Sequence, residues 1–192
     1  TTSLLEGSLP KLTQDLEHEI LNKMFSQKRQ LASYYKKHST HKTFYSRKVG
    51  YFLQVLDFEP LVLDGKGKRR PPSEFKELLF DSSEQAQAVL CCLNSSLFYW
   101  FLTAFSDCRH LNKREIDNFP IDLERLVSEN GKSLSSLAKR LSADLQKNSE
   151  TRVMQFSHDK LTVQSILPKA SKPIIDEIDR ALARHYGLSD EE

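Results

Sequence analysis

Apolar residues recur at helical spacing near the start of the chain and at strand spacing after it. The first pattern predicts a helix over residues 9–36, followed by a polar loop from Lys36 to Lys42. From Thr43 to Leu63 apolar and polar side chains alternate as they do in strands, and residues 75–80 predict another short strand. Residues 64–72 are rich in Gly, Lys and Arg and end in two prolines, which indicates a flexible basic loop.

The clearest helix signal lies in the middle of the chain. Ser82 and Gln85 fit a capping box, and a broad apolar face follows from Ala86 to Phe105. The sequence Asn94-Ser95-Ser96 interrupts this face with poor helix formers. We therefore expect two helices that meet at an angle.

The last third of the chain predicts helices on either side of a hairpin. Residues 123–145 form an amphipathic pattern, residues 151–167 predict two strands joined at 157–159, and a final helix is capped by Ser171 and stopped by Gly187. This order predicts an α+β fold. We expect a mixed, largely antiparallel sheet packed with several helices, with long helices near both termini.

Three segments organise one domain in this interpretation. Residues 1–42 form a helical linker or extension, residues 43–122 form the core, and residues 123–192 form its helical and two-stranded carboxy-terminal part. The composition, 39% hydrophobic and 28% charged, is that of a folded soluble protein. No apolar run approaches the roughly 18–20 residues of a membrane span, and no signal peptide is visible. We expect a cytoplasmic protein that does not bind membranes.

The net charge of +2 conceals a strong asymmetry. From Lys23 to Arg70 twelve Lys or Arg residues oppose three acidic residues, a local net charge of +9, so the rest of the chain carries −7. Six aromatic residues lie among these cations: Tyr34, Tyr35, Phe44, Tyr45, Tyr51 and Phe52. A basic, aromatic segment is typical of a surface that faces a polyanion, and a merely solvated basic face is the plainer alternative.

Two loops that an amino-directed DNA methyltransferase requires are missing from the chain. A Gly-containing turn must approach the cofactor, and an Asn/Asp/Ser-Pro-Pro-aromatic loop must hold the target amine. The only Pro-Pro pair, Pro71-Pro72, lies between Arg70 and Ser73. We therefore expect neither a catalytic centre nor a bound cofactor in this chain.

Short motifs in the chain could indicate two other classes of enzyme. Asp57 with Asp64 and Lys66 could form a nuclease-type metal site, although Asp64-Gly65 also fits a hairpin turn. Cys108 could be a nucleophile beside His110, but residues two positions apart seldom aim at each other. The three Cys and six His residues show no spacing typical of metal ligands.

Residues 93–121 carry a more specific pattern. They contain the helix LNSSLFYWFL, then Leu111-Asn112, and then Ile116-Asp117-Asn118-Phe119-Pro120-Ile121. This combination resembles the target-recognition domain of adenine-specific DNA methyltransferases, both the TaqI-like carboxy-terminal specificity domain and the fused restriction–modification proteins. Residues 170–192 resemble the tail of such proteins as well.

The resemblance implies a function for residues 43–122 as a target-recognition core that grips duplex DNA. The parent protein's own catalytic domain, which this chain lacks, would then flip out an adenine and methylate its amino group with S-adenosylmethionine. The resemblance further implies that the LNSSLFYWF helix is mainly scaffold. It implies a bacterial restriction–modification or related phage-defence system.

Family members read different DNA sequences, so candidate contacts follow from chemistry alone. Duplex binding needs cations for phosphates and forked donors for base edges. The candidates are Arg47, Lys48, Lys66, Lys68, Arg69, Arg70, Arg109, His110 and Asn112. We expect the Lys66–Arg70 loop to lie on phosphates and the segment after the long helix to aim at bases, unless Asn112 instead caps a helix over 113–118.

Three alternatives to a methyltransferase module stay open at this point. The chain could be the DNA-binding domain of a separate specificity subunit, a metal-dependent nuclease, or an α+β domain whose basic stretch binds an acidic protein. Salt-sensitive DNA binding would separate the last of these from the first two.

Overall fold

The computed structural model describes residues 8–50, 52–157, 159–189 and 191–192. Tyr51 and His158 therefore lie outside the described residues, as do the first seven positions. Within those ranges the chain forms six α-helices and two small antiparallel sheets, about 47% helix and 19% strand. The α+β prediction is confirmed.

The helices carry most of the fold. Their bounds are α1 Asp15–Phe25, α2 Ser83–Leu93, α3 Ser96–Phe105, α4 Lys113–Asp117, α5 Leu123–Lys147 and α6 Lys172–Tyr186. Short 3-10 turns occupy Leu31–Tyr34 and Pro168–Ser171.

The strands divide between two sheets, whereas the sequence suggested one. Their bounds are β1 His41–Ser46, β2 Val55–Leu56, β3 Val62–Leu63, β4 Phe75–Phe80, β5 Glu150–Gln155 and β6 Lys160–Ser165. The first sheet has the order β2-β1-β4 and the second the order β3-β6-β5, with every named pair antiparallel. The chain changes sheet after β2 because β3 pairs with β6, with Val62 opposite Val163.

The amino-terminal helix is shorter than the predicted 9–36. The Glu17 carboxylate accepts the backbone N–H of Gln14 at 3.0 Å, and this capping box starts α1 at Asp15. After Phe25 the chain turns away, and the backbone N–H of Leu31 donates to the carbonyl of Phe119 at 3.0 Å. The predicted helix was too long because apolar residues keep helical spacing beyond Phe25, although the helix ends there.

Helices α2 and α3 form the centre of the core. The Ser82 hydroxyl accepts the N–H of Gln85 at 3.2 Å, and the Ser95 hydroxyl accepts the N–H of Phe98 at 3.0 Å. Each helix thus has its own cap, and the two meet at a bend of 63°. The capped start and the divided helix are both confirmed. Helix α2 packs against β1 and against α5.

The aromatic motif of α3 serves packing, as predicted. Phe98 and Phe101 are fully buried, and the Trp100 indole N–H donates to Glu17 Oε1 at 3.4 Å.

No single helix in the described ranges has both the length and the apolar character to cross a bilayer. Only α2 and α3 taken together meet that test, and the bend separates them.

Aromatic residues of the basic segment face inward rather than toward a polyanion. Tyr34, Phe44 and Tyr45 are buried, and the ring of Phe52 stacks on Tyr99 with centroids 5.2 Å apart. Apolar surface gains free energy by leaving water, whereas the cations beside it stay hydrated. The surface of this segment is therefore basic with little aromatic contribution from these four residues.

The last helix ends as predicted but begins differently. Gly187 adopts a φ of +67° and closes α6 in the left-handed region that favours glycine. The Ser171 hydroxyl does not cap the helix, because it donates to Asp144 Oδ2 of α5 at 2.7 Å. Tertiary contact thus replaces the local cap.

Candidate nucleic-acid interface

Residues 64–70 form an ordered hairpin, not the flexible basic loop that their composition suggested. Leu63 and Arg69 form an antiparallel bridge, and the backbone N–H of Arg70 donates to the carbonyl of Val62 at 2.8 Å. The hairpin therefore extends β3 and belongs to the second sheet.

The carboxylate of Asp64 fixes the tip of this hairpin. Its Oδ1 accepts the backbone N–H groups of Lys66 at 3.0 Å and Lys68 at 2.9 Å, and Gly67 has a φ of +78°. The bond from the Lys68 N–H, followed by that from Lys66, holds the pKa of Asp64 below its usual range. The carboxylate stays ionised and the two lysine side chains stay free to point outward.

The same geometry weakens the nuclease alternative. The Asp64 carboxylate is engaged by backbone N–H groups, and that of Asp57 accepts the Ser142 hydroxyl at 2.5 Å. The part of the chain that the structure describes contains no group of three or more His, Cys, Asp or Glu residues that could hold a metal ion.

The four cations of the hairpin differ in their pairing. Arg70 lies 3.4 Å from Asp159 and 3.9 Å from Asp64, and Arg69 lies 4.0 Å from Glu59. Lys66 and Lys68 are exposed, and neither has an ion pair within 4.0 Å among the described residues. The two lysines are therefore the cations of the hairpin that are most available to an external anion.

A second hairpin tip, the turn between β5 and β6, lies against the first. A Cβ added to Gly65 would lie only 3.2 Å from Asp159 Oδ1 and 3.6 Å from the carbonyl oxygen of Lys160. Lys160 is exposed and adds a cation to this edge. Sequence reasoning missed it because the two hairpins are far apart in the chain and only the pairing of β3 with β6 brings them together.

A further set of candidates meets at the end of β1. Lys48 and His110 form an antiparallel bridge, and the backbone N–H of Leu111 donates to the carbonyl of Arg47 at 2.9 Å. This pairing brings four exposed residues into neighbouring segments, namely Arg47, Lys48, Arg109 and His110. Of these, Lys48 lies 3.9 Å from Glu74.

Arg109 lies on a tight turn rather than on the end of the long helix. Helix α3 ends at Phe105, Cys108 adopts a φ of +60°, and the backbone N–H of Arg109 donates to Asp107 Oδ1 at 3.0 Å. This hydrogen bond, together with the charge of Arg109, lowers the pKa of Asp107. The Cys108 thiol has the carbonyl of Ser106 as its partner at 3.8 Å.

Asn112 has a structural role. It forms a capping box with Glu115, whose carboxylate accepts the backbone N–H of Asn112 at 3.1 Å and is itself buried. The alternative in which Asn112 caps a short helix is confirmed, and the helix is α4. Its side chain is accordingly less available to a base edge than that of Arg109.

A groove of about 590 Å³ is lined by one cation of each set. Lys48 lines it from the first sheet and Arg70 lines it from the hairpin. Its floor is one face of the second sheet, made of the apolar side chains of Val62, Met154, Phe156, Leu161 and Val163. Glu74 also lines the groove, which thus joins a polar rim of mixed charge to an apolar floor.

Comparison of the chain with protein-family models, with curated proteins and with solved structures found no match. The family resemblance of residues 93–121 consequently stays a prediction that rests on those residues.

Proposed function

We propose that the chain is the sequence-specific double-stranded DNA recognition module of an N6-adenine DNA methyltransferase. The parent would serve a restriction–modification or related phage-defence system in the bacterial cytoplasm. The supporting observation is that Lys48, whose backbone is bridged to His110, and Arg70 of the basic hairpin line the same groove. The methyltransferase assignment is supported by the pattern of residues 93–121.

The unpaired lysines of the hairpin suit contact with phosphates. Lys66 and Lys68 project from a turn whose backbone is fixed by Asp64, so their ammonium groups can adjust to a charged backbone without reading sequence. Each phosphate that they neutralise releases counterions, which makes binding sensitive to salt.

Arg109 suits contact with a base edge. Its backbone is held by Asp107, and its neighbour His110 is bridged to Lys48, so the segment presents its side chains from a fixed frame. A guanidinium fork can meet the O6 and N7 acceptors of one guanine, which an ammonium cannot do with two parallel hydrogen bonds.

In this proposal the cofactor does not bind this chain. S-adenosylmethionine would bind the parent's catalytic domain, which would act on an adenine across the duplex from this module. Calorimetry of this chain with S-adenosylmethionine should show no binding. Stoichiometric binding at micromolar affinity would overturn the proposal.

The first experiment measures DNA affinity against salt concentration. Wild type, the double variant Lys66→Ala/Lys68→Ala and the control Lys132→Ala/Lys139→Ala are titrated onto a duplex of random sequence. Both variants remove the same charge, but the control removes exposed cations of α5. We expect the hairpin variant alone to flatten the salt dependence, by up to about 0.9 log units per lost phosphate contact. Equal effects of both variants would mean that only net charge matters.

The second experiment tests sequence recognition. Wild type, Arg109→Ala and Arg109→Lys are each used to select duplexes from a randomised library. We expect wild type to enrich a defined sequence, and both variants to lose preference at one guanine position while keeping the others. Failure of wild type to enrich any sequence would contradict the proposed function.

A further inference from the structure

Two large apolar side chains are exposed on the face of the second sheet that lines the groove. Met154 of β5 is 43% exposed, Phe156 directly after β5 is 47% exposed, and both side chains line the groove. Val153 is 58% exposed on the opposite face of the same strand. Exposed apolar side chains gathered on one face of an edge strand are costly in water and indicate a surface that contacts something.

The position of Phe156 places this apolar group beside the cations. Its backbone N–H donates to the carbonyl of Asp159 at 2.8 Å, and the carboxylate of Asp159 lies 3.4 Å from Arg70. The turn that carries Phe156 is thus the one that abuts the hairpin of Lys66 and Lys68. Phe156 is therefore adjacent to the two hairpin tips that carry the cations.

The charge around this face favours a polyanion as its occupant. Lys48 and Arg70 line the groove together with Glu74, and the adjoining hairpin tip adds the exposed Lys66 and Lys68. An apolar side chain flanked by cations is the arrangement with which proteins enter a base step while holding the adjacent phosphates. A purely apolar protein partner would leave these cations unused.

We propose that Phe156, supported by Met154, is an apolar wedge that contacts the exposed faces of bases in a locally unstacked duplex. Lys66 and Lys68 at the hairpin tip, and Lys48 on the opposite side of the groove, hold the adjacent phosphates. The inference rests on the proposed DNA-recognition function and adds to it a preference for deformable DNA. Unstacking a base step has a free-energy cost, and contact between the bases and the Phe156 ring offsets that cost.

The test compares a fully paired duplex with the same duplex carrying one mismatched base pair, which unstacks more readily. Fluorescence anisotropy gives the Kd of wild type, Phe156→Ala, Phe156→Trp and the matched control Val153→Ala for each duplex. We expect wild type, Phe156→Trp and Val153→Ala to prefer the mismatched duplex. Phe156→Ala should lose about 5- to 150-fold in affinity for that duplex, the range for one aromatic–base contact.

The outcomes separate this inference from the function on which it rests. Salt-sensitive binding of both duplexes with equal affinity, unchanged in Phe156→Ala, would overturn the wedge and leave DNA recognition standing. Absence of salt-sensitive binding to either duplex would overturn the proposed function itself. Loss of self-association in Phe156→Ala, measured by sedimentation, with DNA affinity unchanged would show that the face contacts a second copy of the chain instead.

Discussion

The two three-stranded sheets have the same size and the same antiparallel pairing, yet they differ in how they are covered. In the first sheet, Phe44, Leu56 and Phe80 are buried, and α2 packs across β1. In the second sheet every residue of β5 is exposed and β6 is only partly buried. One sheet is part of the core, whereas the other projects its side chains into solvent.

This difference separates the stabilising core from the surface that we propose for binding. The first sheet is held by apolar burial, which is the main driving force of folding. The second is held mainly by backbone pairing and a few polar ties, such as the hydrogen bond from Gln54 Nε2 to the carbonyl of Ile166 at 3.3 Å. Regions with little apolar burial open at lower free energy, and binding surfaces are drawn from such regions. The cations of the 64–70 hairpin and the exposed Phe156 lie in the second kind of region.

The largest expected contrast in stability is between a core aromatic and an exposed apolar residue. Phe101 is fully buried among the rings of Phe98, Phe105 and Phe119, so Phe101→Ala should lower the free energy of unfolding by about 3–5 kcal/mol. Val153→Ala on β5 should change it by less than about 0.5 kcal/mol. Urea denaturation followed by circular dichroism measures both. Similar losses would mean that the second sheet is covered in solution.

A buried polar side chain gives the next effect. Asn94 Nδ2 donates to the carbonyls of Val55 at 2.8 Å and Leu90 at 2.9 Å, which ties the end of α2 to the first sheet. Asn94→Ala leaves the buried carbonyl of Val55 without this partner, whereas that of Leu90 still accepts the backbone N–H of residue 94, and the change should cost about 1–3 kcal/mol. In the second sheet Gln164→Ala removes a part-exposed partner of Leu61 and should cost less than half as much. The reverse order would place the structural polar ties in the second sheet.

Two glycines with positive φ allow the stability of the helices to be compared with that of the basic hairpin. Gly187 ends α6 at +67° and Gly67 turns the basic hairpin at +78°, and in both places an added Cβ meets nothing within 4 Å. Alanine at either position carries roughly 1 kcal/mol of backbone strain. We expect Gly187→Ala to lower global stability by that amount. Gly67→Ala should instead speed hydrogen exchange at the hairpin with little change in global unfolding, and a global loss there would contradict local opening.

The smallest effect is a pH dependence of stability that arises where α6 packs against α5. The side chain of His185 is fully buried, and burial, followed by the charge of Arg125, lowers its pKa despite Glu129 at 3.8 Å and the nearby Asp122. The unfolded chain therefore takes up a proton more readily, so this contribution to stability is lost as the pH falls below about 6.5. Denaturant melts of wild type and His185→Gln at several pH values check this. We expect the variant to be less sensitive to acid, and equal slopes would exclude His185 as the cause.

Much of the fold follows from local pattern. The strand 75–80, the cap at Ser82, the break at Asn94 and the stop at Gly187 each depend on a few adjacent residues, and all agree with the structure. Where the pattern misled, a distant contact intervened. Ser171 bonds Asp144 rather than its own helix, and the apolar spacing past Phe25 serves a turn that contacts Phe119.

For the candidate interface, the sequence identified the cations but not their arrangement. Residue type alone determined which side chains are charged, and the excess of Lys and Arg before residue 70 determined that some basic surface exists. Tertiary structure decided that the aromatics of that segment turn inward and that Lys48 meets His110. It also decided that Lys160 and Phe156 join the hairpin, since pairing of β3 with β6 links residues about a hundred positions apart. Charge is a property of each residue, whereas a surface depends on which distant strands pair, and only apolar burial and backbone hydrogen bonding across the whole chain select that pairing.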